Sequence, residues 1–222
     1  MNTAPRWKKT FGFVMLFFYF SHILVPLNIP ILESLTMISY IVFVVVMIPE
    51  IFRDMKKFKN NKKSILWILL GFGLLLVLQA LLWQIILEPK IISHLGITLK
   101  DANTVSVKER IQKSPVVFPI LCCTFGPILE ELLYRYTAFG ILKEKNTVLA
   151  YAVSTLLFGL QHVIVAGIWG GEPMQLINIF GYIIAGTVFA FVYSKTKNIC
   201  VSMGSHVIFN TFCMSIMLVA GR

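Results

Sequence analysis

The chain has 222 residues, 57% of them hydrophobic and 14% charged, with a mean hydropathy of +0.81 and a formal net charge of +10. That much apolar surface is more than a soluble domain of this size can bury, so the composition argues against a soluble fold and asks for a lipid bilayer as solvent. The basic residues fall in short clusters between apolar stretches and build no single basic face, which argues against a nucleic-acid partner.

A membrane-spanning helix needs about 20 apolar residues. Seven stretches approach that length: 11–27, 31–52, 64–87, 115–142, 147–165, 174–193 and 199–220. The sequence therefore predicts an all-α protein, a polytopic transmembrane helix bundle of about seven spanning helices. Arg6, Lys8 and Lys9 precede the first stretch, as in a signal peptide, but no small-residue cleavage site follows, so it is read as a membrane helix. Its aromatic run, Phe17, Phe18, Tyr19 and Phe20, is assigned to lipid contact or core packing. Pro26, Pro30 and Pro49 punctuate the first two helices, and Glu33 and Glu50 fall near their expected ends, at the interface. Gly170, Gly171 and Pro173 mark the turn between the fifth and sixth spans. Cys122, Cys123, Cys200 and Cys213 sit in or beside apolar runs without CxxC spacing, which fits small apolar packing residues and neither a disulfide framework nor a zinc knuckle.

Of the 20 Lys and Arg, thirteen fall at the chain start and in 53–63, 143–146 and 194–198, while 88–114 holds five and Arg222 ends the chain. This asymmetry predicts a cell-membrane protein with its N-terminus in the cytoplasm and its C-terminus outside. The Lys-rich 53–63 segment reads as an orientation signal and a contact for anionic lipid. The 88–114 segment reads as an outer loop or as an interfacial piece lying on the membrane. No internal repeat appears, so the chain is treated as one domain, in which 1–114 is scaffold and 115–222 is the catalytic core.

The chemistry lies in the second half. In the fourth span, Glu130, Glu131 and Arg135 place two carboxyls and a guanidinium in an otherwise apolar helix. Each such charge costs about 2.5 to 3.5 kcal/mol on insertion scales, so an intramembrane site is the default reading. Glu131 and Arg135 are four residues apart and can pair on one helical face. Glu130 points about 100° away and needs another partner. The fifth span offers His162, four residues after Phe158; the seventh offers His206 and Asn210, again four apart. An imidazole and a carboxamide supply donors for a developing oxyanion. Convergence requires a water-filled cavity opening inward, because these groups cannot face lipid.

Glu130-Glu131-x-x-x-Arg135, Phe158-x-x-x-His162 and His206-x-x-x-Asn210 resemble the three ordered motifs of the CPBP intramembrane proteases, the family of CAAX prenyl endopeptidases and of bacterial members linked to bacteriocin processing or self-immunity. The resemblance covers 115 to about 211. It implies that Glu130 and His162 activate the attacking water, that His206 and Asn210 stabilise the oxyanion, and that Glu131, Arg135 and Phe158 support the site. Tyr136 departs from the pattern, standing where the family usually places glycine.

The expected function is thus an intramembrane endopeptidase acting on membrane-associated peptides or proteins, in bacterial peptide processing or bacteriocin self-immunity ahead of CAAX-type prenyl-protein processing. Amide hydrolysis needs a base for water, a proton for the leaving amine and oxyanion donors, which Glu, His and His/Asn supply. A rival mechanism uses Glu130, His162 and His206 as zinc ligands, ranked second because no HExxH is present. From another class comes a non-catalytic membrane partner that regulates a sensor kinase or receptor and keeps the same residues as packing. A transporter is disfavoured by the lack of repeats. His22 and His94 stand in no motif and are assigned structural roles.

Overall fold

A computed structural model describes residues 6–24, 30–84, 87, 94 and 101–220. Among these the chain forms eight helices and no strand: α1 (Arg6–Leu24), α2 (Pro30–Asn60), α3 (Lys63–Gln84), α4 (Ala102–Lys113), α5 (Val117–Leu142), α6 (Thr147–Trp169), α7 (Pro173–Thr196) and α8 (Ile199–Ala220). Six of them, α2, α3 and α5 to α8, are long and apolar enough to cross a membrane. Helix α1 falls outside that group; Lys8 and Lys9 lie in its first turn, and the expected tail of this span, 25–27, lies outside the described residues. The side chain of His22, Pro26, most of 88–100 and Arg222 lie outside them too.

Helix α2 runs well past the expected end at 52. Arg53 to Lys59 contains good helix formers and no breaker, and Glu50–Arg53 and Asp54–Lys57 pair one turn apart along it. Glu50 is therefore not a helix-end residue. It is buried and binds Lys8 of α1 at 3.0 Å as well as Arg53. Asp54 accepts from Lys57 at 2.8 Å and from the backbone N–H of Ile199 at 3.0 Å, so it caps the N-terminus of α8 from another helix. Asn198 Nδ2 donates to the Asp54 carbonyl at 2.8 Å. Lys9 pairs with Glu144, and Lys143 donates to Ser194 Oγ at 2.8 Å. These contacts gather the start of α1, the end of α2 and the two basic turns at 143–146 and 197–198 at one end of the bundle. Partial burial and the charges of Lys197 and Lys195 push the Lys143 ammonium below its usual pKa.

Helix α4 sits at the opposite end. It is 12 residues long, has no fully buried residue, and begins at Asp101, whose side chain accepts from Asn103 N at 3.2 Å. The Ala102 N–H donates to Gln175 Oε1 at 3.0 Å, which ties α4 to the start of α7, one helix length from Ser194.

A single buried cluster runs through both halves of the chain, from Met15 and Phe43 through Leu75 and Leu132 to Phe158, Phe189 and Val201. Between membrane helices such packing is dispersion and close approach. A Cβ on Gly71 would lie 2.7 Å from Ser205 Oγ and 2.9 Å from Val192 Cγ2, so α3 meets α7 and α8 without a side chain between. In the aromatic run of α1, Phe17 and Phe18 face outward, whereas Tyr19 packs on Tyr40 and Phe20 on Tyr134.

Candidate active site

Helix α5 is broken just before its acidic pair. Pro127 has no N–H for the Cys123 carbonyl, and the backbone leaves helical geometry at Thr124, with φ −122° and ψ −66°. Nearby carbonyls also take side chains: Thr124 Oγ1 donates to Ile120 O at 2.6 Å, beside the Thr124 N–H at 3.0 Å, and Asn210 Nδ2 of α8 donates to Cys122 O at 3.3 Å. Past Glu130 the helix widens into a π-helical stretch, Glu131–Phe139, in which the Gly140 N–H reaches back to Arg135 O. Long π stretches are rare and concentrate at functional sites. The Tyr134 carbonyl in this stretch accepts from Ser154 of α6 at 2.9 Å.

Glu131 and Arg135 are both fully buried, with Arg135 Nη1 3.4 Å from Glu131 Oε1. The guanidinium lies over the Phe158 ring at 4.4 Å, and its Nη2 donates to Gly186 O at 3.3 Å. Ser202 of α8 donates to Glu131 Oε2 at 2.5 Å. His206, one turn further along α8, has Nδ1 3.1 Å from Glu131 Oε1. A carboxylate only accepts, so Nδ1 carries the proton. The ring stacks on Phe189 at 4.2 Å and 21°. Its Nε2 faces Glu130 Oε2 at 3.7 Å, beyond direct hydrogen-bond length. Both glutamates thus address one imidazole, one at each nitrogen.

Glu130 was expected to look to α6 for its partner; the contact it makes is with His206 of α8. His162 is held differently. Its Nδ1 lies 2.8 Å from the Phe158 carbonyl, which can only accept, so Nδ1–H donates and Nε2 is the free nitrogen. Its ring stacks on Tyr182 of α7 at 4.2 Å and 14°, with Phe158 4.9 Å away.

Glu130, His162, His206 and Asn210 line one cavity of about 920 Å³, together with Phe158. Glu131 and Arg135 are not in its wall; they stand behind His206 and Phe158. The lining also includes apolar residues such as Met37, Leu121 and Met217, and a run at the start of α4 from Asp101 to Arg110. The described part of this segment, from Asp101 to Arg110, therefore lines the cavity, which neither reading of 88–114 as loop or interfacial piece foresaw. Among the described residues no group of three His, Cys, Asp or Glu side chains is spaced to hold a metal ion. Cys122 and Cys213 also line the cavity.

Three polar residues of this region were not singled out from the sequence. Ser202 could have been, since it stands four residues before His206 and shares its face. Tyr182 and Asp101 lie in segments whose pattern carries no such signal.

Residues 112–212 match the model of the type II CAAX prenyl endopeptidase Rce1-like family. The chain is 32% identical over 191 residues to a Bacillus subtilis protein named as a candidate membrane peptidase, YdiL, covering 82% of this chain and 71% of that one. It is 27% identical over 168 residues to the membrane-embedded CAAX protease MroQ of Staphylococcus aureus, covering 72% of this chain and 61% of the relative. An uncharacterised protein of Mycoplasma capricolum is 30% identical over 195 residues, and there the chain spans 54% of the relative's length. No solved structure matches. A helical bundle with six candidate spans, acidic and imidazole groups facing one internal cavity, and this shared sequence place the chain in the Rce1-like CAAX endopeptidase family of membrane proteases.

Proposed function

We propose that the protein is an intramembrane endopeptidase that hydrolyses peptide bonds of membrane-associated peptides or proteins inside this cavity. The observation that carries the reading is that Glu130, His162, His206 and Asn210, from three helices, share one cavity wall. In the proposed reaction a water held between Glu130 and His162 Nε2 gives up a proton to the Glu130 carboxylate as its oxygen bonds to the scissile carbonyl carbon. Negative charge then develops on the carbonyl oxygen, toward Asn210 Nδ2 and a protonated His206 Nε2. Collapse breaks the C–N bond, and the proton taken from water goes to the departing amine. Glu131, oriented by Arg135 and Ser202, fixes the His206 ring through Nδ1.

The substrates we propose are peptides processed in a bacterial membrane, including those of bacteriocin self-immunity; the Bacillus and Staphylococcus relatives support the setting. The N-terminus is proposed to lie in the cytoplasm, which puts α4 and its side of the cavity on the outer half. The gathering of Lys8, Lys9, Arg53, Lys57 and Lys143 at one end supports this orientation.

The test reconstitutes purified protein in bilayers with membrane peptides and reads product masses. Glu130→Gln and His162→Ala variants that insert and unfold like wild type are expected to lose cleavage by about 100-fold or more. Cleavage at wild-type rate by either variant overturns the assignment, and full biological rescue by both favours a binding role.

A further inference from the structure

We propose that Tyr182 is a positioning residue for His162, and that Asp101, at the start of α4, acts on the site through Tyr182. The proposal rests on the reading that His162 Nε2 helps activate the water.

Among the described residues His162 makes one hydrogen bond, from Nδ1 to Phe158 O, which holds one edge of the ring. Rotation about the Cβ–Cγ bond, which that hydrogen bond alone opposes, would swing Nε2 across the cavity. The Tyr182 ring removes this freedom, because it lies nearly parallel to the imidazole, 14° between planes and 4.2 Å between centroids. The phenol is itself held. Its hydroxyl donates to Asp101 Oδ2 at 3.0 Å and accepts from Asn103 Nδ2 at 3.0 Å. Asp101 is fixed in turn by Asn103 N at 3.2 Å and Thr104 Oγ1 at 2.8 Å. The next residue's N–H, on Ala102, bonds Gln175 Oε1, which also takes Asn178 Nδ2 at 3.0 Å. A chain of fixed contacts thus runs from α4 through Tyr182 to the imidazole. Tyr182 touches the cavity wall, yet its hydroxyl is spent on Asp101 and Asn103, so its part is to hold another group in place.

The experiment measures kcat and KM on one cleaved membrane peptide for Tyr182→Phe, Tyr182→Leu, Asp101→Ala and the double variant Tyr182→Phe/Asp101→Ala. Phenylalanine keeps the stack and loses the anchor; leucine loses both. Tyr182→Phe and Asp101→Ala are each expected to lower kcat about 10-fold with KM within about 2-fold, as loss of an outer supporting group does. Tyr182→Leu is expected to lower it about 100-fold. The double variant is expected to be no slower than Tyr182→Phe alone, because both changes cut one chain. Should Tyr182→Leu fail to fold, the Tyr182→Phe cycle with Asp101→Ala decides alone. Wild-type kcat in the Tyr182 variants, or multiplying effects of Tyr182→Phe and Asp101→Ala, overturns this inference while an inactive His162→Ala leaves the proposed function standing. Normal cleavage by His162→Ala, or no cleavage by wild type, removes both.

Discussion

Replacing Arg135 by methionine isolates the energetics of the charge pair behind the cavity. The guanidinium is fully buried and sits 3.4 Å from Glu131 Oε1. At an effective dielectric of about 20, that separation corresponds to an attraction of about 5 kcal/mol. Methionine fills much of the same volume, but it leaves the Glu131 carboxylate buried with only Ser202 and His206 as donors. Breaking one side of a buried pair costs about 3 to 5 kcal/mol. The position over Phe158 at 4.4 Å adds a cation–π contribution of about 1 to 2 kcal/mol, which is lost as well. The double variant Glu131→Gln/Arg135→Met removes both charges, so only packing and cation–π terms remain missing. It should recover at least about 2 kcal/mol relative to Arg135→Met alone. Equilibrium unfolding of the four proteins in mixed micelles measures the cycle. A cost below about 1 kcal/mol for the single change, or additive costs in the double, would refute the view that Glu131 and Arg135 are energetically coupled behind the cavity.

Three further outcomes follow from the packing and the donor set. Gly71→Ala puts a methyl against Ser205 and Val192, and should destabilise the contact of α3 with α7 and α8 by about 1 to 3 kcal/mol, read as a lowered unfolding midpoint. Asp54→Ala removes the acceptor for the Ile199 N–H and for Lys57, and should cost about 1 to 2 kcal/mol by the same measurement, with Asp54→Asn recovering part of it. Chelation should leave cleavage within about 2-fold of its starting rate, since the described residues offer no three-donor cluster; loss of cleavage restored by added zinc would instead favour the ligand set Glu130, His162 and His206.

The residues carrying these effects differ in how plainly the sequence displays them. Bilayer residence and six of the seven expected spans could be read from apolar length, because the thickness of the hydrocarbon fixes how many apolar residues a helix must supply. The three motif pairs could be read from four-residue spacing, because one helical turn brings those side chains to one face. The end of α2 could not: Arg53 to Lys59 looks like a loop by charge, and it stays helical because Glu50 and Asp54 pair along it and α8 docks on Asp54. The partner of Glu130 was equally hidden. Helical spacing gives directions within one helix and says nothing about which neighbour lies there. The break before Pro127 and the widened turn after Glu130 aim both glutamates at His206.

Sequence alone thus determined the solvent, the approximate number of spans and the residue types of the candidate site, since each depends on local chemistry and chain periodicity. Tertiary structure decided which imidazole meets which carboxylate, that the start of α4 lines the cavity, and that Tyr182 lies on His162. Those outcomes depend on how helices far apart in the chain cross, and crossing geometry is set by the fit of whole surfaces, which no short stretch of residues encodes.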